Sequence, residues 1–412
     1  MKKYGLMKNN VFLLSLAIVI SLSFSAFAQT SVVEVQTGTD DVRPAAVRQH
    51  IMAPSTARGK WADGSAMHAD GPYLIYGDNL DVRKISIDTL GHLRDGVMHD
   101  PRVGTAFNVF SDDAKYEFQI KLHPIARPAW KCEAAGKILV LSDPHSNFKC
   151  FVSLLQGNGV IDKYLNWTYG KNQLVIIGDV FDRGTDATQI FWLIYQLEQE
   201  AADAGGQLHF LYGNHEPMVL SGDIRYTNRK YKKLADSLGM EFRKLMGPDT
   251  ELGRWLATRN TMMVIGDNLF VHAGISQEFL DKNCTIPQVN EMVSRGLFMT
   301  KEERKADGEL YFMFKSNGPI WYRGLVYSKK KYNPASEETV DAALARYGVK
   351  RIFVGHTIFK NVRTFYRKKV IAVNVSNREN MLKGRSRGIL IEDGNYYTVG
   401  DHGVMDKLIS TK

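Results

Sequence analysis

Cysteine is scarce in this chain. Cys132, Cys150 and Cys284 are the only three among 412 residues. An odd number cannot pair completely, and their spacing matches no zinc motif. Cys132 precedes an expected strand and Cys150 follows its far end, so no bond between them is expected. Long apolar runs are also few. Val11 to Phe24 is one, with Lys2, Lys3 and Lys8 before it and Ala26-Phe27-Ala28 after it. That is the layout of a signal peptide with its cleavage site, and the run is shorter than the ~20 apolar residues a membrane span needs. Residues 1–28 therefore read as a removable signal peptide. No Cys follows the site to carry a lipid, and no later stretch suits a span. The expectation is a chain secreted across the inner membrane into the periplasm, with no stable membrane anchor. Dense basic clusters are lacking too. The formal charge of +9 falls to +6 without the three signal lysines, and the densest run, Lys329-Lys330-Lys331, reads as a solvated loop. No nucleic-acid partner is expected. No internal repeat is evident.

What the chain does contain changes along its length. Residues 29–60 lack periodicity and read as a mobile leader. Residues 61–130 read as a β-rich N-terminal extension, with strands over Val82 to Ile87, Thr105 to Phe110 and Tyr116 to Leu122, the last two joined as a hairpin. His68, His92, His99 and His123 lie here without ligand-like spacing. From Lys137 onward, strand and helix alternate. Ile138 to Leu141, Leu174 to Ile177 and Leu208 to Leu211 are continuous apolar runs. Between them, Phe148, Phe151, Val152 and Leu155, then Ile190, Leu193, Ile194 and Leu197, repeat at helical spacing. This predicts βαβ units and buried parallel strands. Met262 to Ile265 and Leu269 to Val271 follow as a hairpin, then Arg351 to Val354 and Val370 to Val375. Gly388 to Glu392 and Tyr396 to Val399 close the chain.

The strands end in metal-binding side chains. The first three lead into Asp143-Pro144-His145, Gly178-Asp179-Val180-Phe181-Asp182-Arg183-Gly184 and Gly213-Asn214-His215-Glu216. Asp143, Asp179 and Asn214 are 36 and 35 residues apart, about one βαβ crossover each. Parallel neighbours would bring all three to one sheet edge, where open α/β folds place their sites. Two later strands run into His272-Ala273-Gly274 and Gly355-His356-Thr357. The donor set of Asp143, His145, Asp179, Asn214, His272 and His356 holds oxygen and nitrogen but no thiolate. It suits two divalent ions such as Mn, Fe or Zn.

This ordered series resembles the calcineurin-like metallophosphoesterases, and more narrowly their phosphoprotein phosphatase branch. Within that branch it is similar to the bacterial Shewanella-like phosphatases. Gly253-Arg254-Trp255-Leu256, Trp321-Tyr322-Arg323-Gly324 and Val354-Gly355-His356-Thr357 support the likeness, which covers about residues 137–400. The resemblance implies a four-layer αββα metallophosphoesterase sandwich in a catalytic domain of residues 131–412. It places one metal on Asp143 and His145 and the other on Asn214, His272 and His356. Asp179 bridges them, as two cations held close together need an anion between them. It also implies hydrolysis of phosphate monoesters by a metal-activated hydroxide, with a Ser/Thr phosphoprotein phosphatase as the narrower reading. His215 is then the general acid, paired with Asp182, and Arg183 and Arg323 clamp the phosphate. The implied partner is a phosphoprotein or a small phosphomonoester. Two alternatives stand beside this one: an anhydride or diester hydrolase of the same fold, resembling diadenosine tetraphosphatases, and a non-catalytic metal- or partner-binding module. The sequence departs from the family pattern at Ser142 and Ser146, where glycine is common. It departs again at Asn374-Val375, where an Asp-Gly is usual.

Overall fold

In the computed structural model, side chains and backbone are described for residues 69–409 apart from 89 and 91, with two short strands, Gly59–Lys60 and Ala66–Met67, ahead of them. The expected signal peptide, and the expected leader up to residue 58, lie outside the described residues.

Two six-stranded sheets form the centre. The first runs, in spatial order, Gln207–Leu211, Gln173–Ile177, Ile138–Leu141, Gly388–Glu392, Asn395–Gly400 and Gly403–Ile409. Its first three strands are parallel neighbours, as the spacing predicts. The second sheet runs Arg363–Phe365, Val370–Ala372, Arg351–Val354, Asn268–Val271, Met262–Ile265 and Lys131–Cys132. Side chains alternate across a strand, and the alternation separates two cores. Ile138, Val140, Val175 and Ile177 from the first sheet meet Met263, Ile265, Phe270 and Phe353 from the second. Leu139, Leu141, Leu174 and Ile176 face the other way, onto the helices Phe148–Gly157 and Ala187–Asp203. Both faces of each sheet are therefore buried, which is why the strands read as unbroken apolar runs. The result is the four-layer αββα sandwich. Val370 to Val375 is shorter than expected and ends at Ala372. The chain does not close at Val399 either. Gly403–Ile409 adds an edge strand, and Arg363–Phe365 adds another to the second sheet.

The N-terminal β structure comprises a three-stranded sheet, Ala69–Tyr76, Leu80–Ile87 and Leu93–His99, and a hairpin, Ala106–Phe110 with Glu117–Lys121. Its inner face is continuous with the helix-side core. Tyr73, Leu74, Val82, Ile85, Phe107, Val109, Phe118 and Ile120 are buried in the same cluster as the residues of Ala187–Asp203. Polar ties support the contact: Trp192 Nε1 donates to Pro72 O at 2.9 Å, and Tyr76 OH to Glu251 Oε2 at 2.6 Å. The three cysteines are free. No helix among the described residues is long and apolar enough to cross a membrane.

Candidate active site

The loops carrying the donors all leave the C-terminal ends of strands, and the two sheets bring those ends together. Backbone contacts lock the junction. His356 N donates to Asp143 Oδ2 at 3.1 Å, and His272 Nδ1 to Ile177 O at 2.7 Å. A Cβ at Gly355 would collide with the Ser142 side chain and the Asp143 carboxylate, and one at Gly213 with the Asp179 carboxylate. Glycine at these positions lets the loops approach. Asp143, His145, Ser146, Asp179, Asp182, Arg183 and His356 all have positive φ. Non-glycine residues rarely hold that conformation unless the surroundings enforce it, and such residues gather at functional sites. Glu216 does much of the enforcing. Its carboxylate, fully buried, accepts from the backbone N–H of Gly213 (2.7 Å), Asp179 (3.0 Å) and Val180 (2.8 Å).

These loops converge on a cleft of about 600 Å³. Asp143, His145, Asp179, Arg183, His215, Arg323 and His356 line it. Asn214, His272 and Asp182 are buried beside them. All ten residues singled out from the sequence thus come together. Asp179 is the hub. Its Oδ2 lies 4.0 Å from His145 Nε2, 3.9 Å from His215 Nε2 and 3.1 Å from His272 Nε2. It belongs to both groups of side chains able to hold an ion, His145–Asp179–His215 and Asp179–His272–His356. Asp143 completes the first side: its Oδ1 is 4.0 Å from His145 Nε2. Asn214 completes the second, with Oδ1 3.3 Å from His272 Nε2.

The donor set fits divalent cations. His145 and His272 use Nδ1 on carbonyls, those of Phe181 (2.9 Å) and Ile177 (2.7 Å), which turns each Nε2 inward. Metal-binding histidines are commonly oriented this way. His356 Nε2 is buried and has no hydrogen-bond partner, an atom that a cation would satisfy. The electrostatics show a shortage of positive charge. Burial, with the Asp179 carboxylate adding to it, pushes the Asp143 carboxyl up to about 7. Burial would raise Asp179 as well, but the imidazoles of His272, His215 and His145 outweigh it and hold that carboxyl well below the usual range. Burial would lower His272, yet Asp179 and Asp143 push it up to about 9. The two buried carboxylates draw a proton onto His272, the base nearest to Asp179, which is the demand a divalent cation meets.

His215 differs from its neighbours. Its Nδ1 donates to a carboxylate, Asp182 Oδ2, at 2.5 Å. Asp182 Oδ1 in turn accepts from Thr227 Oγ1 at 2.7 Å. Burial lowers the pKa of His215, but Asp179 and Asp182 outweigh it and the net shift is upward. The Arg183 guanidinium lies 4.2 Å over the Tyr226 ring, and Arg323 Nη1 donates to His356 O (3.2 Å) and Thr357 Oγ1 (3.1 Å).

A family model for calcineurin-like phosphoesterases matches residues 136–358. The chain belongs to that family. It is a hydrolase of phosphoesters, and its family implies divalent metals. Shewanella-like protein phosphatase 2 of Arabidopsis thaliana is 26% identical over 269 residues, covering 55% of this chain and 67% of the relative. An uncharacterized protein of Schizosaccharomyces pombe is 31% identical over 231 residues, covering 53% and 66%. The chain thus spans about two thirds of these curated relatives. Among solved structures, the cold-active protein-tyrosine phosphatase of a psychrophilic Shewanella species is 32% identical, with a TM-score of 0.73, over 83% of this chain and 99% of that one.

Sequence reasoning missed several participants in this phosphoesterase site. Glu216 lies inside the Gly213-Asn214-His215-Glu216 motif, whose spacing assigns it no role. By sequence, Asn374 marks only a departure from the family's usual carboxylate. Its Nδ2 donates to Asp143 Oδ1 at 2.8 Å, so an amide donor braces that carboxylate. Tyr226 and Thr227 carry no motif, and Arg378 reaches the cleft rim from the helix Asn377–Leu382. Only proximity reveals these.

Proposed function

We propose that this phosphoesterase is a two-metal phosphomonoesterase whose site residues act in the roles the resemblance implies. The observation that carries the reading is the pairing of two arginines with a shared carboxylate: Arg183 and Arg323 line the cleft that Asp179 occupies between two ion-holding groups. A monoester's terminal dianion suits two guanidinium forks, and a diester offers one charge fewer. Asp143 and His145 would hold one cation, Asn214, His272 and His356 the other, and Asp179 would contribute to both. Mn, Fe and Zn all match the donors. When bound, the pair supplies Lewis acidity to the phosphoryl oxygens and an acidified water as nucleophile. His215 carries a proton on Nε2 to the leaving oxygen, and Asp182 orients the ring through Nδ1 and stabilises the protonated form. Arg183 and Arg323 hold the phosphoryl group in line.

The Shewanella neighbour is a protein-tyrosine phosphatase, and Shewanella-like protein phosphatases of other organisms are relatives. Phosphorylated protein side chains, tyrosine included, are therefore the first substrates to test, with small phosphomonoesters beside them. The Ala26-Phe27-Ala28 site supports a mature start near Gln29 and export to the periplasm; N-terminal sequencing of protein from the periplasmic fraction checks both. The test of the activity compares p-nitrophenyl phosphate with bis(p-nitrophenyl) phosphate on metal-loaded protein. The monoester should be turned over far faster, and a preference for the diester would overturn the assignment.

A further inference from the structure

The loop bearing Asp182 and Arg183 is held from outside by one short segment. Tyr226 lies under the Arg183 guanidinium, and Arg183 N donates to Tyr226 O at 3.1 Å. Thr227 Oγ1 donates to Asp182. Asn228 Nδ2 donates to Arg183 O at 3.0 Å, while its Oδ1 caps the helix Arg229–Leu238 by accepting from Lys230 N. Lys230 then reaches back, and its Nζ donates to Thr185 O at 2.8 Å. Tyr231 OH donates to the same carbonyl at 2.8 Å and accepts from Ala187 N. Residues 226–231 thus grip residues 182–187 at successive points.

The N-terminal β structure anchors that grip. Lys230 Nζ lies 2.5 Å from Asp70 Oδ2 and 3.2 Å from Asp112 Oδ1, and all three side chains are almost fully buried. Asp70 is fixed in turn by Tyr73 OH at 2.6 Å and its neighbour's N–H. Asp112 N donates to Asp186 Oδ1 at 2.6 Å, tying the hairpin turn directly to the catalytic loop. A buried ammonium has few alternatives to such partners, because leaving it unpaired is costly. A charge cluster in this position can therefore fix the geometry of whatever it touches.

We infer that Asp70, Asp112 and Lys230 are positioning residues for phosphate binding: the N-terminal β structure sets the place of Arg183 through this ion cluster, and does not merely cover the core. The inference rests on Arg183 being a phosphate clamp. It also gives residues 61–130, which carry no site motif, a part in substrate binding.

The test is a double-mutant cycle on the full metal-loaded protein, with Asp70→Asn, Arg183→Ala and the pair, each checked for fold and metal content. Asp70→Asn keeps shape and the Tyr73 bond but removes the nearer of the two carboxylates paired with Lys230. Displacing a substrate-positioning group can cost up to about 100-fold in rate. We expect a loss of roughly 10- to 100-fold in kcat/KM, carried mainly by KM, equal for p-nitrophenyl phosphate and an alkyl phosphate, with metal content unchanged. In the Arg183→Ala background the same change should cost about twofold or less, since coupled residues are not additive. Tyr73→Phe, which removes one hydrogen bond from Asp70, carries the same test if Asp70→Asn does not fold. A variant with a lower melting temperature but unchanged KM, or full additivity with Arg183→Ala, overturns the inference and leaves the clamp standing. An unchanged KM in Arg183→Ala alone overturns the clamp and the inference with it.

Discussion

Replacing His215 by asparagine should separate proton delivery from metal binding. The His215 ring holds Nδ1 on Asp182 at 2.5 Å, and its Nε2 lies 3.9 Å from Asp179 Oδ2, on the wall of the cleft. Asparagine preserves size and polarity but cannot protonate a leaving group. General acid catalysis contributes about 10²- to 10⁴-fold, or roughly 3 to 5 kcal/mol of barrier. For an alkyl phosphate, whose leaving oxygen must be protonated, kcat should fall within that range. For p-nitrophenyl phosphate, whose leaving group departs without a full proton, it should fall by about tenfold or less. Steady-state kinetics with both substrates, alongside metal analysis by plasma mass spectrometry, gives the answer. The metal analysis matters because His215 also sits in an ion-capable group with His145 and Asp179. Retained metal with a leaving-group-dependent loss supports the acid. Loss of metal, or equal slowing of both substrates, would refute it and make His215 a ligand or an orienting group.

Asp179→Asn should lower metal content on both sides of the site and nearly abolish turnover, since it removes the one carboxylate common to both groups; full occupancy would exclude a bridge. Asn374→Ala removes the 2.8 Å bond to Asp143. It should weaken metal binding by about 10- to 100-fold, measured by competition with a chelating dye, as loss of a ligand's outer partner commonly does. Asp186 gives a pH-dependent prediction. Burial, offset in part by Lys230, raises its carboxyl from 3.8 to about 6. The folded state therefore binds this proton more tightly than the unfolded chain, and stability falls as pH rises from about 4 through 6. Asp186→Asn mimics the protonated form. It should stabilise the protein by about 2 to 3 kcal/mol at pH 8, from the pKa difference, and change little at pH 4. Equal shifts in melting temperature at both values would contradict this.

The catalytic half of the molecule was legible because its chemistry is local. Strands buried on both faces read as apolar runs such as Ile138–Leu141 and Gln173–Ile177, and each leads into a candidate donor, Asp143 or Asp179. The order of Asp143, Asp179 and Asn214 then follows from parallel pairing. The N-terminal part was less legible because its interior is partly polar. In Ala69–Tyr76 the first residue is followed by Asp70-Gly71-Pro72, residues typical of turns, yet Asp70 is buried against Lys230, 160 positions away. Lys230 itself sits in Arg229-Lys230-Tyr231-Lys232-Lys233, which has the composition of a solvated helix face. Nothing local shows that one of these lysines turns inward. The edge strands Arg363–Phe365 and Gly403–Ile409 escaped for a different reason. The first is too short to show a period, and the second is largely exposed, so neither has the apolar pattern that marks a central strand.

The proposed site holds a pair of divalent ions that share Asp179. Anomalous diffraction from crystals of the mature protein grown with manganese tests it most directly. Two peaks are expected, about 3.5 to 4 Å apart, one beside Asp143 and His145, the other beside Asn214, His272 and His356, with Asp179 reaching both. A single peak, or two peaks with Asp179 bound to only one of them, would contradict it.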